Sequence, residues 1–442
     1  MNAELSESIQ HAVNPGNLED DFYPGQSNCK VQAFPSTMEN RFYVNLPSNN
    51  QNSSSTVIFS PDEGISDVVL TLQLPTPTTS ITYTNWALNA GWGYAMIDTV
   101  GLRIGGSSLY YWTGDQLLIE NLAECESSYK RDQILQLGGG QILNNSSGTN
   151  TFATAANLSA QVYLKLPFNS VSSLQKPLPL CSDNLTQPIQ IIIKFKNFTD
   201  VFFATQSTSA TSVLPTSWAT AAVNFRQVHL QDSAHLLSRR YNMNSHALAW
   251  PLRNFSQTTF RTSISTDGSS AQAINLTGFR SGSVKGIRIW ITPSSSTGAT
   301  VSNFNGGSGN NFNFISPVAC TLSVNGLVYY QSTNYNSLLW GMIDTKNGAG
   351  VSNTVLNQLA TPGAYAQSTS VFSSFVYIPL AQETQPMAGE NELSLGLPIQ
   401  NAVVNLSLTM PTTSAAVSYT VSAEYLYACT LMFSKGTAEY VF

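Results

Sequence analysis

Hydrophobic and polar residues alternate over short stretches through most of this 442-residue chain. Alternation with a period of two predicts β-strands that bury one face, because successive strand side chains point to opposite sides. The stretch 96–111, MIDTVGLRIGGSSLYY, shows this pattern most plainly, and its apolar residues Val100, Leu102 and Ile104 share one face. A Gly-Gly pair follows, and glycine takes positive φ without a Cβ clash. The pattern therefore predicts a tight β-hairpin.

The same hairpin pattern returns in the second half of the chain. Residues Ala319–Tyr330, ACTLSVNGLVYY, repeat it with Asn325-Gly326 in the place of the Gly-Gly turn. In this alignment Tyr110 corresponds to Tyr329, an offset of 219 residues. That offset is close to half of the chain length, so the hairpin predicts an internal duplication.

Three further pairs of segments repeat in the same order, with offsets that drift from 218 to 210 residues. They are Ser66–Pro75 with Val284–Pro293, Val162-Tyr163 with Val376-Tyr377, and Pro188-Ile189-Gln190 with Pro398-Ile399-Gln400. A repeat of this length is a duplicated domain, because solenoid units are shorter. The sequence therefore predicts two copies of one β-domain in tandem.

The rest of the pattern predicts an all-β protein with almost no helix. Further short strands are separated by loops rich in Pro, Asn, Ser and Gly, as in β-sandwiches and jelly rolls. One stretch, 114–130, is helical, with Leu117, Leu118, Leu122 and Cys125 in an apolar stripe. We therefore expect an arm at 1–26, a first β-domain at 27–230, a linker at 231–254 and a second β-domain at 255–442.

The predicted arm differs in composition from the rest of the chain. It holds five acidic residues and no Lys or Arg, and two Pro-Gly pairs interrupt it. Leu5, Ile9 and Val13 recur every four residues and allow a short amphipathic helix. We expect this segment to lie outside the main fold and to contact another protein, because its acidic residues disfavour DNA and anionic membranes.

Composition and charge exclude several function classes. Charged residues make up 10% of the chain, its net charge is −6, and Lys and Arg are scattered. Direct nucleic-acid binding needs clustered positive charge, so it is not expected. No apolar run approaches the ~20 residues that span a bilayer, and residues 1–10 lack the apolar core of a secretory signal. Direct membrane contact is therefore not expected either.

The cysteines indicate the redox environment. The five of them are Cys29, Cys125, Cys181, Cys320 and Cys429, which is an odd number, and no C-x-x-C pair occurs. Neither a disulfide framework nor a zinc site is predicted. We expect free thiols and a reducing intracellular compartment, cytoplasm or nucleus.

Acidic residues in and after the helical stretch are the first candidate for chemistry. Asp115, Glu120, Glu124, Glu126 and Asp132 could supply the carboxylate pair of a glycosidase. Charge runs more often form the solvated face of a helix, and this is the interpretation that we favour.

Two other polar patterns are weaker. The segment 101–106, GLRIGG, resembles a nucleotide-binding loop, but its spacing fits a hairpin turn better. His229, Asp232 and His235 lie close in sequence, yet their spacing matches no known metal site. The nine N-x-S/T sequons, for example at Asn52 and Asn275, are near the number expected by chance in such a composition.

Aromatic residues flank both hairpins. Tyr110, Tyr111 and Trp112 follow the first, and Tyr329 and Tyr330 follow the second. Such residues could stack on sugars, but in strands they more often pack in a core or at a subunit contact. The sequence predicts no catalytic residues, no cofactor site and no metal site.

The repeated hairpin, the LPLCSDN stretch at 178–184 and the strand PIQIIIKF at 188–195 together resemble a known family. The chain is similar to the double jelly-roll major capsid proteins of icosahedral double-stranded DNA viruses. This lineage includes nucleocytoplasmic large DNA viruses, virophages, Polinton-like viruses and adenovirus-type capsids. The resemblance covers about residues 27–442.

The resemblance implies two tandem eight-stranded jelly rolls with short helices in loops. It also implies a non-enzymatic structural role, in a homotrimer whose six jelly rolls form a pseudo-hexagonal capsomer. Neighbouring capsomers, minor capsid proteins and penton proteins would be the partners, and the virion capsid would be the location. A carbohydrate-binding double β-sandwich, lectin-like or tail-spike-like, is the alternative.

Overall fold

The structure is a computed structural model, and it describes about half of the chain. The described residues are 37–59, 64–76, 78, 80, 86–87, 91–104, 106–123, 133–134, 137–139, 159–164, 178–179, 189–201, 203–204, 214–230, 248–255, 259–277, 282–293, 317–333, 375–380, 397–399, 402–412, 416–434 and 437–441.

Short strands make up most of the described residues. In the first half they are β1 (Thr37–Asn45), β2 (Ser54–Phe59), β3 (Gly64–Gln73), β4 (Trp86–Ala87), β5 (Ile97–Ile104), β6 (Ser107–Trp112), β7 (Ser159–Tyr163), β8 (Leu178–Pro179), β9 (Ile189–Phe195), β10 (Phe203–Ala204) and β11 (Thr220–Leu230). Three helices accompany them within these residues, α1 (Trp92–Ala95), α2 (Gly114–Ala123) and α3 (Phe198–Val201).

The second half repeats this arrangement. Its strands are β12 (Leu248–Phe255), β13 (Thr259–Thr266), β14 (Gln272–Leu276), β15 (Gly282–Pro293), β16 (Ala319–Val324), β17 (Leu327–Ser332), β18 (Val376–Pro379), β19 (Leu397–Ile399), β20 (Val404–Thr409), β21 (Val417–Ser434) and β22 (Thr437–Val441).

The first domain contains two four-stranded antiparallel sheets. One has the order β1-β11-β3-β7 and the other the order β2-β9-β5-β6. Their facing sides meet in a core: the rings of Phe59 and Phe225, one from each sheet, lie 4.9 Å apart in an edge-to-face arrangement. The alternation in β9 buries Ile191 and Ile193 completely. Strand β8 adds to the first sheet beside β3.

The second domain repeats the same strand orders. Its sheets run β13-β21-β15-β18 and β14-β20-β16-β17, and β19 pairs with β15 as β8 pairs with β3. One hydrophobic core lies between the two sheets, and it includes Leu276, Ile289, Leu322, Leu406 and Val421. Two additional strands, β12 and β22, pair with the C-terminal half of β21.

A jelly roll consists of eight strands in two such sheets, and the chain crosses repeatedly from one sheet to the other. The chain therefore contains two tandem jelly rolls, and the predicted fold class is confirmed.

The repeated hairpin is confirmed in both domains, but the alignment of its aromatic residues was wrong by one position. Leu102 lies opposite Tyr110, and Leu322 lies opposite Tyr330, so Tyr110 corresponds to Tyr330. Each hairpin carries a β-bulge at the same place, one position beyond these pairs. Because the bulge is common to both hairpins, it does not shift one copy against the other; the turn residues Gly106 and Gly326 are 220 positions apart, as Tyr110 and Tyr330 are, and the error came from matching the two Tyr-Tyr pairs by their letters.

The fourth repeat was also misaligned. Ile191 of β9 lies opposite Leu102, and Leu406 of β20 lies opposite Leu322, so β20 is the counterpart of β9. The segment around Pro398 instead corresponds to Leu178-Pro179, because both pair with the start of the central strand β15 or β3. The shared Pro-Ile-Gln letters are therefore a coincidence.

Two further expectations concern the segments between and before the domains. The predicted linker showed no alternation, yet residues 248–255 form β12, because β21 is long enough to pair with both β12 and β13. Most of the linker, 231–247, lies outside the described residues, and so does the predicted arm at 1–26.

Candidate assembly interface

Helix α2 lies between the two jelly rolls. It begins directly after β6, and a Cβ on Gly114 would collide with the carbonyl oxygen of Tyr94, so glycine is required at this point. Leu117, Leu118 and Leu122 of the predicted stripe are fully buried, and its fourth member, Cys125, lies outside the described residues. The Asn121 amide donates to the Tyr94 hydroxyl and to a backbone carbonyl of β7, both at 3.0 Å, and fixes the helix to the first domain.

The first turn of α2 places Asp115 against the second domain. Its carboxylate accepts hydrogen bonds from Arg261 Nη2 of β13, at 2.7 Å to each oxygen, and from Trp290 Nε1 of β15 at 2.9 Å. The Thr113 hydroxyl donates to the same carboxylate at 2.5 Å. The Asp115 side chain is 20% exposed and that of Arg261 is 42% exposed, so the carboxylate is the better shielded end of this ion pair. We call this group the Asp115 clamp.

Charge and hydrogen bonding govern the protonation of Asp115. Burial alone would raise its pKa, but the Arg261 guanidinium and the hydrogen bonds from Thr113 and Trp290 outweigh burial and hold the pKa below its usual value. Burial lowers the pKa of the nearby Lys196, while the Asp115 carboxylate opposes that shift. Asp115 is therefore the anion that balances the cations at this boundary.

A second contact lies deeper under the same helix. Arg288 Nη1 of β15 donates to Glu424 Oε1 of β21 at 2.9 Å, and both side chains are fully buried. Gln116 of α2 donates through Nε2 to Glu424 Oε2 at 3.0 Å, and also to Glu120 Oε1 at 3.3 Å. A buried ion pair needs further hydrogen bonds to offset its desolvation, and Gln116 from the other domain supplies one.

The structure corrects our interpretation of the helical acids. Asp115 and Glu120 do not lie on a solvated face; Glu120 is 3% exposed and faces the same boundary. The reason is that the second domain covers this side of α2 and provides partners for the charges. Glu124, Glu126 and Asp132 lie outside the described residues.

Sequence reasoning missed the partners on the second domain. In β15 the residues Ile287, Ile289 and Ile291 face the core, and Arg288 and Trp290 occupy the alternate, outward positions. A large tryptophan and an arginine in outward positions of one strand are a signal that another element covers this face. That signal was present in the sequence.

The edge of the first domain also contacts the second. Strand β22 lies alongside β6, with Cα atoms of the two strands within 8 Å. Strand β6 is the outermost strand of its sheet, so its free edge is shielded within the chain.

The corresponding edge of the second domain is exposed. Strand β17 is outermost in its sheet, and Leu327, Val328 and Tyr329 are 65%, 55% and 47% exposed. Val403 lies beside the hairpin turn, because its backbone N–H donates to Asn325 Oδ1 at 2.9 Å, and its side chain is 51% exposed. We call these four apolar side chains the β17 patch.

The other candidate residues do not come together as a site. Trp112 is buried in the core and Tyr111 is 47% exposed, so the aromatic residues divide between core and surface. Position His229 belongs to β11, opposite Met38, whereas Asp232 and His235 lie outside the described residues.

Residues 101–104 are the end of β5, and Gly106, directly before β6, has φ 85°. Among the described residues, no group of three or more His, Cys, Asp or Glu side chains is placed to hold a metal ion. No helix in the described part of the chain is long and apolar enough to cross a membrane.

Two jelly rolls in one chain, held together by a helix from the first, define the double jelly-roll fold. Comparison with solved structures gives the same result. PBCV-1 VP54, in a crystal structure fitted into a cryo-EM reconstruction of the virophage Sputnik, is similar with a TM-score of 0.58 at 12% identity, over 94% of this chain and 99% of that one.

Two other solved structures are similar over nearly their whole length. The Faustovirus major capsid protein has a TM-score of 0.51 at 10% identity, over 92% of each chain. A chain of the Sputnik virophage cryo-EM structure has a TM-score of 0.53 at 11% identity, over 95% of this chain and 91% of that one. At such identities the likeness concerns the fold. No protein-family model matches the sequence, and no curated protein does.

Proposed function

We propose that this chain is the major capsid protein of an icosahedral double-stranded DNA virus. The observation that carries the proposal is the pair of jelly rolls fixed to each other through the Asp115 clamp and the buried Arg288–Glu424 pair. A shell protein must present a rigid unit of constant shape to its neighbours. Capsid proteins of the same fold match nearly the whole chain, which supports this role.

We propose that three chains associate into a capsomer with a pseudo-hexagonal outline. Two similar domains per chain give six similar units around a threefold axis. The low charge and the many Ser, Thr and Asn side chains suit this role, because every flank of a capsomer meets another protein and unpaired buried charges are costly.

The partners and location follow from the same proposal. Neighbouring capsomers, minor capsid proteins and penton proteins would contact the trimer, and neither DNA nor a membrane would bind it directly. Assembly would take place in a reducing compartment of the host, and the finished location would be the virion capsid. We also propose that the domains divide as expected, at 27–230 and 255–442, except that β12 at the end of the predicted linker joins the sheet of the second domain.

The acidic arm at 1–26 would lie on the inner side of the shell and become ordered on assembly. Ordering costs ~1–2 kcal/mol per residue for the backbone alone, and the arm has few apolar side chains to offset this. A chain that begins at Ser27 should fold and trimerise but assemble poorly into shells. Normal shells from this shortened chain would contradict the role of the arm.

Light scattering of the purified protein tests the function. The chain has a mass of 47.8 kDa, and we expect a species of three times that mass at micromolar concentration. With other capsid components present, this species should assemble into shells. A protein that stays monomeric under both conditions, or that binds defined glycans on a sugar array, would contradict the proposal.

A further inference from the structure

The turn between β16 and β17 is an Asn-Gly dipeptide, Asn325-Gly326. Both residues have positive φ, 51° and 81°, as the central residues of a type I′ turn do. Both are exposed, and they connect the paired residues Val324 and Leu327. Asparagine is a chemically labile residue, and most so before glycine, because the next backbone nitrogen can attack the side-chain amide and no Cβ hinders it.

The side-chain carbonyl of Asn325 is already polarised in the folded protein. The backbone N–H of Val403 donates to Asn325 Oδ1 at 2.9 Å, and the Val403 carbonyl accepts from the Asn325 N–H, also at 2.9 Å. Attack on Cγ converts Oδ1 into an oxyanion, and a backbone N–H that already points at this oxygen stabilises the charge as it forms. The residue before β20 therefore supplies a donor that favours this reaction.

The other two reacting groups are unobstructed. Asn325 Nδ2, which would leave as ammonia, donates to no group in the described part of the chain. Gly326 provides the attacking backbone nitrogen from outside the paired strands, and a Cβ on this residue would meet nothing within 4 Å. Water therefore has access to the turn, and ammonia can depart from it.

We propose that Asn325 is a site of spontaneous deamidation in the folded protein. The Gly326 nitrogen bonds to Asn325 Cγ, the Cγ–Nδ2 bond breaks, and the proton of the Gly326 nitrogen leaves with Nδ2 as ammonia. Water then adds to either carbonyl of the resulting succinimide ring and opens it, which gives aspartate or isoaspartate. The reaction consumes only water and needs no oxidant, cofactor or enzyme.

The products change the chemistry of the β17 patch. Either product places a carboxylate beside Leu327 and Val403, in a surface whose exposed side chains are apolar. Aspartate keeps an oxygen that accepts from the Val403 N–H, and the acceptor is now charged. Isoaspartate carries the main chain through its side-chain carbon, so it lengthens the turn by one methylene group. The β17 patch should therefore become more acidic as the protein ages, whatever particle the chain forms.

Peptide mapping of the full-length protein tests the site. After incubation in mildly alkaline native buffer, we expect aspartate and isoaspartate to accumulate at Asn325, and an isoaspartyl methyltransferase labels the second product. The matched control in the same chain is Asn52, which is exposed and has φ 52° but precedes a serine, so it should stay intact. The map also separates Asn325 from the Asn-Gly pairs at Asn305 and Asn347, which lie outside the described residues.

Two substitutions test the chemistry. Val403→Pro removes the N–H donor at an exposed position and should slow the reaction at Asn325 by roughly tenfold, less than the ~10²–10³-fold effect of such a donor in a closed active site. Gly326→Ala keeps the donor but places a methyl group beside the attacking nitrogen, and it should also slow the reaction. Circular dichroism identifies a variant that does not fold.

Two outcomes would overturn the proposal. If Asn325 stays intact in native buffer but deamidates in urea, the fold protects the residue. If wild type and folded Val403→Pro react at equal rates, the Val403 N–H has no part in the reaction. The comparison of native buffer with urea uses the wild-type chain alone, so it decides the matter even where Val403→Pro does not fold.

Discussion

Trp290 of the second jelly roll donates its indole N–H to Asp115 of the first, at a distance of 2.9 Å. The two residues are 175 positions apart in the chain. Because Arg261 holds the same carboxylate at 2.7 Å, the bond belongs to a charged group and not to an isolated contact. The clamp therefore joins the two jelly rolls through a charged, hydrogen-bonded group.

Removal of the Asp115 carboxylate should weaken the link between the domains. Asp115→Ala leaves the Trp290 indole without this acceptor, and loss of a partner for a buried polar group costs about 1–3 kcal/mol. Urea unfolding should show this decrease in the free energy of unfolding. The matched control is Asp98→Ala, whose partner Lys194 lies at 2.7 Å but is 48% exposed. The control should cost at most about 1 kcal/mol. Equal effects of the two substitutions would contradict a special role for the clamp.

The clamp should also make stability depend on pH in the acid range. The folded pKa of Asp115 lies below its usual value of 3.8, so the unfolded chain takes up a proton at higher pH than the folded chain does. Its stabilising contribution is therefore fully present above about pH 5 and decreases as the pH falls through the folded pKa. The difference in unfolding free energy between wild type and Asp115→Asn should be constant from pH 5 to 7 and shrink below about pH 4. A difference that grows on acidification would mean that the folded pKa of Asp115 is not lowered, contrary to this prediction.

The buried Arg288–Glu424 pair should show strong coupling. Either Arg288→Met or Glu424→Leu leaves one buried charge without its ionic partner, which costs about 3–5 kcal/mol. The double variant removes both charges and should cost clearly less than the sum of the two single effects. A double-mutant cycle from chemical unfolding measures this coupling. Additive effects would mean that the two side chains do not depend on each other.

Cys320 should be chemically inert in the folded protein. It is free and buried, and burial raises the pKa of its thiol to about 12. The thiolate is the reactive form, so at pH 8 a thiol reagent should not modify this residue until the chain unfolds. Comparison of wild type with Cys320→Ala should reveal a difference of one thiol in denaturant and none in native buffer. Native labelling of Cys320 would show that the core around β16 opens.

The sequence predicted the fold well because the jelly roll depends on alternation and turns, which are local signals. The stretches 96–111 and 188–195, chosen from the alternation, contain the observed strands β5 (Ile97–Ile104) and β9 (Ile189–Phe195). The pattern failed where the structure depends on how one strand pairs with another, because local alternation does not show the partner. The repeated Tyr-Tyr letters gave an alignment that was wrong by one position, which only the strand register reveals, and β12 forms only because β21 extends far enough to pair with it.

The interface was harder to predict than the fold. The acids on α2 have the pattern of a solvated helix face, and the arginine and tryptophan partners of Asp115 come from the second domain, far away in sequence. Arg288 and Trp290 in outward strand positions indicated a covered surface, but not which element covers it. The exposed β17 patch likewise depends on which sheet edge remains free after the domains pack.

The central claim is that two jelly rolls of one chain form a third of a capsomer. Electron microscopy of the purified, full-length protein tests it most directly. The account predicts particles with threefold symmetry and a nearly hexagonal outline, in which six similar lobes surround the axis. Two-lobed particles at every concentration, or closed rings with a number of lobes other than six, would contradict it.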